Sequence, residues 1–188
     1  APSRGEGEKE IVLASLNAKK SLQGLLVHSQ EHKAIGLYAG YPWFFQFWPR
    51  DEALSLKALA HCGEHSAAND IVGRLLHRIS PEGLILKEAD AAGWAFIRAF
   101  ELLQKSAKTY KKERRALAEL LRQTLEQLLK YHTLQGLAEH GERETWMDSL
   151  SRRWAGIEMQ ALRLRLYRIA ARISPSWKQR RSCAKLEK

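Results

Sequence analysis

Apolar residues recur at helical spacing in six stretches of the chain, and the connections between those stretches alternate between long and short. The first stretch, residues 8–27, carries Ile11, Leu13, Leu16, Leu22, Leu25 and Leu26. The second, 51–60, carries Leu54, Leu56, Ala58 and Leu59 and is closed by Gly63. A third begins near Ser66, an N-cap candidate, and carries Ile71, Val72, Leu75 and Leu76 before Ser80-Pro81 stops it. A fourth begins near Asp90, again an N-cap candidate, with Trp94, Ile97, Phe100, Leu102 and Leu103. After a basic hinge at 105–112, a fifth runs to 131 with Leu117, Leu120, Leu121, Leu125, Leu128 and Leu129. The sixth, 157–173, carries Leu162, Leu164, Leu166 and Ile169 and ends at Ser174-Pro175. No pair of alternating stretches flanks a hairpin turn, so the expected fold is all-α.

The connections after the first, third and fifth helices are long, roughly twenty, ten and twenty-five residues, where about 2–8 is usual. If consecutive helices pack antiparallel, as three helical hairpins, every long connection emerges at the same end. That end would gather Arg50 and Asp51, Glu88 and Asp90, and Glu144 and Asp148.

The totals bound the possibilities. A chain of 188 residues is one ordinary domain or a piece of a larger one. Hydrophobic content of 45% with six tryptophans excludes disorder as the default. A formal net charge of +10 raises nucleic acid or an acidic surface as a partner. Cys62 and Cys183 make neither a disulfide framework nor a metal cluster, and they fit a reducing compartment. No apolar run reaches membrane-spanning length, and the polar, charged start is not a secretory signal, so the expected location is cytoplasmic. The absence of an initiator Met points to processing, an engineered start or a cut from a longer chain. The expected division is a helical domain over 1–175 and a basic tail over 176–188.

Between the first two helices lies an aromatic run, Gly40-Tyr41-Pro42-Trp43-Phe44-Phe45-Gln46-Phe47-Trp48-Pro49-Arg50-Asp51. Pro42 and Pro49 each remove a backbone donor and push the preceding residue out of helical geometry. Pro49 suits the first position of a helix, with Arg50 and Asp51 in its opening turn. Flat apolar rings beside fixed charges suit a sugar, which has apolar faces and a polar rim. A loop that plugs a core, edged by an ion pair, explains the same residues equally well.

Carboxylates that converge with aromatic rings have the composition of a glycosidase site. Glycoside hydrolysis needs a protonated carboxyl at the leaving oxygen and a second carboxylate opposite, about 6.5–9.5 Å away in the inverting version. Apolar surroundings or a neighbouring negative charge hold the acid protonated. Asp148, beside Met147 and two residues past Trp146, suits that role; the alternative is that it caps a turn. His28, His61, His65, His77, His132 and His140 are scattered without ligand spacing, so no metal and no cofactor is expected.

Several of these segments also carry a resemblance. Ala39-Gly40-Tyr41-Pro42-Trp43-Phe44 followed by Trp48-x-Arg50-Asp51 resembles a signature of the glycogen debranching enzyme (amylo-α-1,6-glucosidase) family, among the (α/α)6-barrel glycosidases. Thr145-Trp146-Met147-Asp148 resembles that family's second signature, and Ile157-Glu158-Met159-Gln160-Ala161-Leu162 the helix after it. Ala89-Asp90-Ala91 with Trp94 and Phe96 is similar to a block between them. The four blocks fall in family order and cover most of residues 36–170.

The resemblance implies that Asp148 is the general acid and that Arg50 and Asp51 grip the hydroxyls of a non-reducing-end glucose. It places Asp90 and Glu158 at or near the site and makes Trp43, Trp48 and Trp146 candidate sugar platforms. A helix cap and a buried ion pair remain alternative explanations of Asp90 and Glu158, and core packing of the tryptophans. The chain departs from the family where Pro49 replaces the usual Gly before Arg-Asp, and where a short loop separates Asp148 from Ile157.

A full barrel of this kind has twelve helices, and six are read here. The implied fold is an incomplete (α/α)6 toroid, the N-terminal half of a catalytic domain whose base would lie in the second half. Such a half would expose the inner faces of its inner helices, which monomers rarely do. The expected partners are an α-glucan or oligosaccharide and either the missing C-terminal half or a second copy of this chain, without a membrane. The isolated chain is expected to be inactive. Two rivals use other readings of the same residues: a non-catalytic sugar-binding or assembly subunit, and a basic helical nucleic-acid binder. Little supports the second, since no nucleic-acid motif is present and the acids sit on the site loops.

Overall fold

The computed structural model describes residues 4–29, 34–105 and 110–174. The described chain is mostly helical, with six helices and two short antiparallel strand pairs among the described residues. It divides into two compact units, Ala1–Ile71 and Val72–Lys188.

In the first unit, α1 spans Arg4–Gly24 and is followed by the strand pair β1 (Leu26–Ser29) and β2 (Ala34–Leu37). The register pairs Leu26 with Leu37 and Ser29 with Ala34. This corrects the expectation of one helix over 8–27 and of a chain without strands. Leu25, Leu26 and Val27 are consecutive apolar residues that fit either period, and pairing with a second strand decides for β. The apolar residues of α1 also lack the buried stripe that their spacing implied: Ile11, Val12, Leu13 and Leu16 are all exposed.

The aromatic loop then leads to α2, Pro49–His61. Pro49 starts the helix, where its missing N–H costs nothing, and Asp51 and Glu52 oppose the positive end of the helix dipole. Ala53, Leu56, Leu59 and Ala60 form its buried face, while Leu54 is exposed. Helix α3, His65–His77, begins in the first unit and continues into the second.

The second unit holds α4 (Ala89–Lys105), α5 (Tyr110–Tyr131) and α6 (Ile157–Ile173), each packed against the other two. Between α5 and α6 lies a miniature hairpin, β3 (Thr133–Leu134) and β4 (Leu137–Ala138). Its two-residue turn, Gln135-Gly136, has φ of 52° and 81°, the positive pair that a type I′ turn requires.

Helix directions follow from contacts at their ends. Arg114 near the start of α5 donates to the carbonyl of Arg172 near the end of α6 at 2.6 Å. Arg163 donates to the carbonyl of His132, just past α5, at 3.3 Å, so α5 and α6 run antiparallel. Helices α4 and α6 pack together with both starts tied to the segment 144–145, Ala89 to the Glu144 carbonyl and Glu158 through Arg152 to Thr145, so they run parallel; Gly93 is set against Leu162 so closely that a Cβ there would lie 3.2 Å from the Leu162 Cβ. The connection into α4 turns at Ser80–Gly83, where Gly83 (φ 93°) lies against Thr124 and Leu128 near the end of α5. The connection into α6 starts at that same end of α5. The two long connections of this unit therefore meet at one end of the helix triplet.

The basic hinge read at 105–112 is shorter than expected: α4 includes Lys105 and α5 begins at Tyr110, while 106–109 lie outside the described residues. The basic tail read at 176–188 also lies outside them.

Candidate functional site

The predicted site residues fall in both units. In the first, Gly40 and Phe44 pair across a tight loop, and the Tyr41 hydroxyl donates to the carbonyl of Gly24 at 3.1 Å. Tyr38 stacks on Phe47 at 5.5 Å and meets Tyr41 and Phe45 edge-on. The Phe47 ring lies over Gly36, leaving no room for a Cβ there. These ring contacts fix the loop while leaving its outer rings in solvent. Trp43 is 80% exposed, and Tyr41, Phe44 and Phe45 are about half exposed. The core-plug explanation therefore fails for Trp43. Trp48 is partly buried.

Arg50 is buried and Asp51 is exposed, at the start of α2. The next residue is also an acid. Glu52 is fully buried and accepts a hydrogen bond from the Leu37 amide at 2.9 Å, tying α2 to β2. In the sequence Glu52 is one more acid in a helix's first turn, and only the three-dimensional register of β2 identifies its partner.

In the second unit, the start of α4 meets a segment more than fifty residues later, 144–158, at the shared end of the helix triplet. Asp90 is 2% exposed and belongs to the first turn of α4, one residue past its start. It is not the N-cap that the sequence implied. Its carboxylate instead accepts the Trp146 amide at 3.1 Å, and the Ala89 amide donates to the Glu144 carbonyl at 2.7 Å. The segment Glu144–Trp146 is thus held against the positive end of α4. Thr145, 1% exposed, turns inward, so Trp146 turns outward and is 56% exposed.

Glu158, in the first turn of α6, receives Arg152, whose guanidinium also donates to the Thr145 hydroxyl at 3.0 Å. Burial pushes the Glu158 carboxyl up, but its own backbone amide, Thr145 and Arg152 together hold it below the usual carboxylate range. Glu158 is an anion at neutral pH, and a fixed one. Asp148 lies on a turn in which the Leu150 amide donates to the Met147 carbonyl, and it is exposed. Sequence reasoning also missed Arg152 and Trp154; the latter pairs with His140 through two backbone hydrogen bonds of 3.1 Å.

Behind this loop, burial lowers the pKa of His132 despite nearby Glu82, so it is neutral near pH 7. Among the described residues no group of three His, Cys, Asp or Glu side chains is arranged to hold a metal ion. No described helix is long and apolar enough to cross a membrane. Compared with known families, curated proteins and solved structures, the chain finds no match.

Proposed function

We propose that the chain is the N-terminal half of an (α/α)6 glycoside-hydrolase catalytic domain acting on α-glucans. The particular activity is an α-1,6-glucosidase of the glycogen-debranching kind, with Asp148 as general acid. One observation carries the reading. Three of the four segments that resemble the family are joined by hydrogen bonds: Asp90 to Trp146 across 56 positions, and Thr145 through Arg152 to Glu158. A chance likeness of short motifs gives no reason for them to meet.

The parallel pair α4 and α6 with α5 antiparallel also suits a toroid, whose inner helices run parallel and whose outer helices return. In this reading Arg50 and Asp51 hold glucose hydroxyls in the first unit, where Trp43 and Trp48 supply apolar faces, and Trp146 supplies one in the second. The base lies in a second half, on another chain or after Lys188, or a second copy takes that place. The protein works in the cytoplasm without a cofactor. The exposure of Asp148 favours one alternative, a non-catalytic sugar-binding subunit with the same ring and Arg-Asp elements.

Glucose release from an α-1,6-branched limit dextrin tests the proposal, with the chain alone and mixed with a six-helix complementing half. No turnover alone, turnover in the mixture and its loss in Asp148→Asn support it. Binding of maltooligosaccharide with no turnover in any mixture selects the sugar-binding subunit.

A further inference from the structure

Trp154 has a strained backbone. Its φ is 90°, beyond the left-handed region near +50 to +70° that L residues enter at modest cost. Among the described residues the other non-glycine positions with positive φ are Lys87, Gln135 and Arg143, at 67°, 52° and 58°, inside that region and polar. An indole is among the least suited side chains for such a backbone.

The conformation is clamped. Trp154 and His140 exchange both backbone hydrogen bonds, and the buried His140 ring is itself bonded to the Gly141 carbonyl at 2.7 Å. Yet the strain does not serve core packing, because the ring remains 57% exposed. Strain that persists without burying its side chain points to a use for that side chain in solvent. The Arg153 guanidinium lies 5.9 Å from the ring centroid, a set of donors beside a flat apolar face. Arg152, one residue earlier, ties the same loop to Thr145, and so to the backbone that presents Trp146.

We propose that Trp154 is a carbohydrate-stacking residue, with Arg153 donating to hydroxyls of the same sugar, and that it forms a glucose subsite beyond those the resemblance implies. This rests on the α-glucan reading. The ring supplies the apolar contact, and the strained backbone holds it outward so that binding does not have to order it.

The test is titration of the full chain with maltoheptaose, with thermal melts, for the wild type, Trp154→Gly, Trp154→Phe and Trp146→Ala. Glycine relieves the backbone strain, so Trp154→Gly should melt at or above the wild-type temperature while binding about tenfold more weakly. Trp154→Phe should bind within about threefold of the wild type, since a flat ring remains. A lower melting temperature for Trp154→Gly would show that the ring is a structural element and overturn the proposal. So would wild-type affinity in Trp154→Gly, or affinity in the Phe variant as weak as in the Gly variant. If Trp146→Ala loses binding and Trp154→Gly does not, only this subsite falls. If the wild type does not bind maltoheptaose at all, the α-glucan reading falls with it.

Discussion

A carboxylate largely removed from water stays charged only when its neighbours donate to it. Glu158 has such neighbours in Thr145, Arg152 and its own backbone amide, and they outweigh the cost of burial. Its folded-state pKa is depressed, so its contribution to stability is fully present above the ordinary carboxylate value of about 4.3 and is lost as pH falls below that. Melting temperature measured from pH 7 to pH 3 should therefore drop more steeply below about pH 4.5 in the wild type than in Glu158→Gln. Arg152→Ala, which leaves the carboxylate in place without its cation, should cost about 1.5–3 kcal/mol at pH 7 by urea unfolding. That Asp90 and Glu158 stand at the starts of helices was legible in the sequence from the apolar period that follows each. Arg152 was not, because Arg152-Arg153 is a like pair in a polar connection. Nothing in one dimension says which of the two reaches back to α6 and which turns out beside Trp154.

Among the elements, α6 was read at its observed bounds because three signals coincide there: a clear period, Glu158 in the first turn and Ser174-Pro175 at the end. The strands were missed for a physical reason. Two to four residues are too few for a period of 2 to stand out from a period of 3.6, so pairing is specified by the turn. In β3–β4 that turn is Gln135-Gly136, and glutamine is not one of the residues that announce φ > 0. The mismatch can be repaired. Gln135→Asn should stabilise the second unit by roughly 0.5 kcal/mol, and Gly136→Ala should destabilise it by about 1 kcal/mol, because a Cβ disfavours φ of 81°. Gln160 makes the effect visible from α6, since its side-chain amide bonds both the N–H and the C=O of Ala138 in β4. Amide exchange at Ala138 should slow in the first variant and quicken in the second.

For the molecule as a whole, the formal charge of +10 and the proposed ligand pull in different directions, because an α-glucan is uncharged. Some of the charge is taken up within the fold. Arg122 is bonded to Glu119 within its own helix, and Arg152 to Glu158. Arg114 and Arg163 donate to backbone carbonyls. These four arginines are engaged by the protein itself. Salt separates the two kinds of partner. A protein that neutralises several phosphates loses on the order of a thousandfold in affinity between 50 and 200 mM salt. Stacking of a neutral sugar on Trp43, Trp146 or Trp154 involves no counterion release and should change by less than about twofold over that range. Maltoheptaose and a single-stranded oligonucleotide titrated in parallel would show it. A steep salt dependence for the oligonucleotide with micromolar affinity at 200 mM, and no sugar binding at either salt, would return the chain to the nucleic-acid reading. Flat binding of the sugar would place its ligand on the exposed rings and leave the charge to the fold.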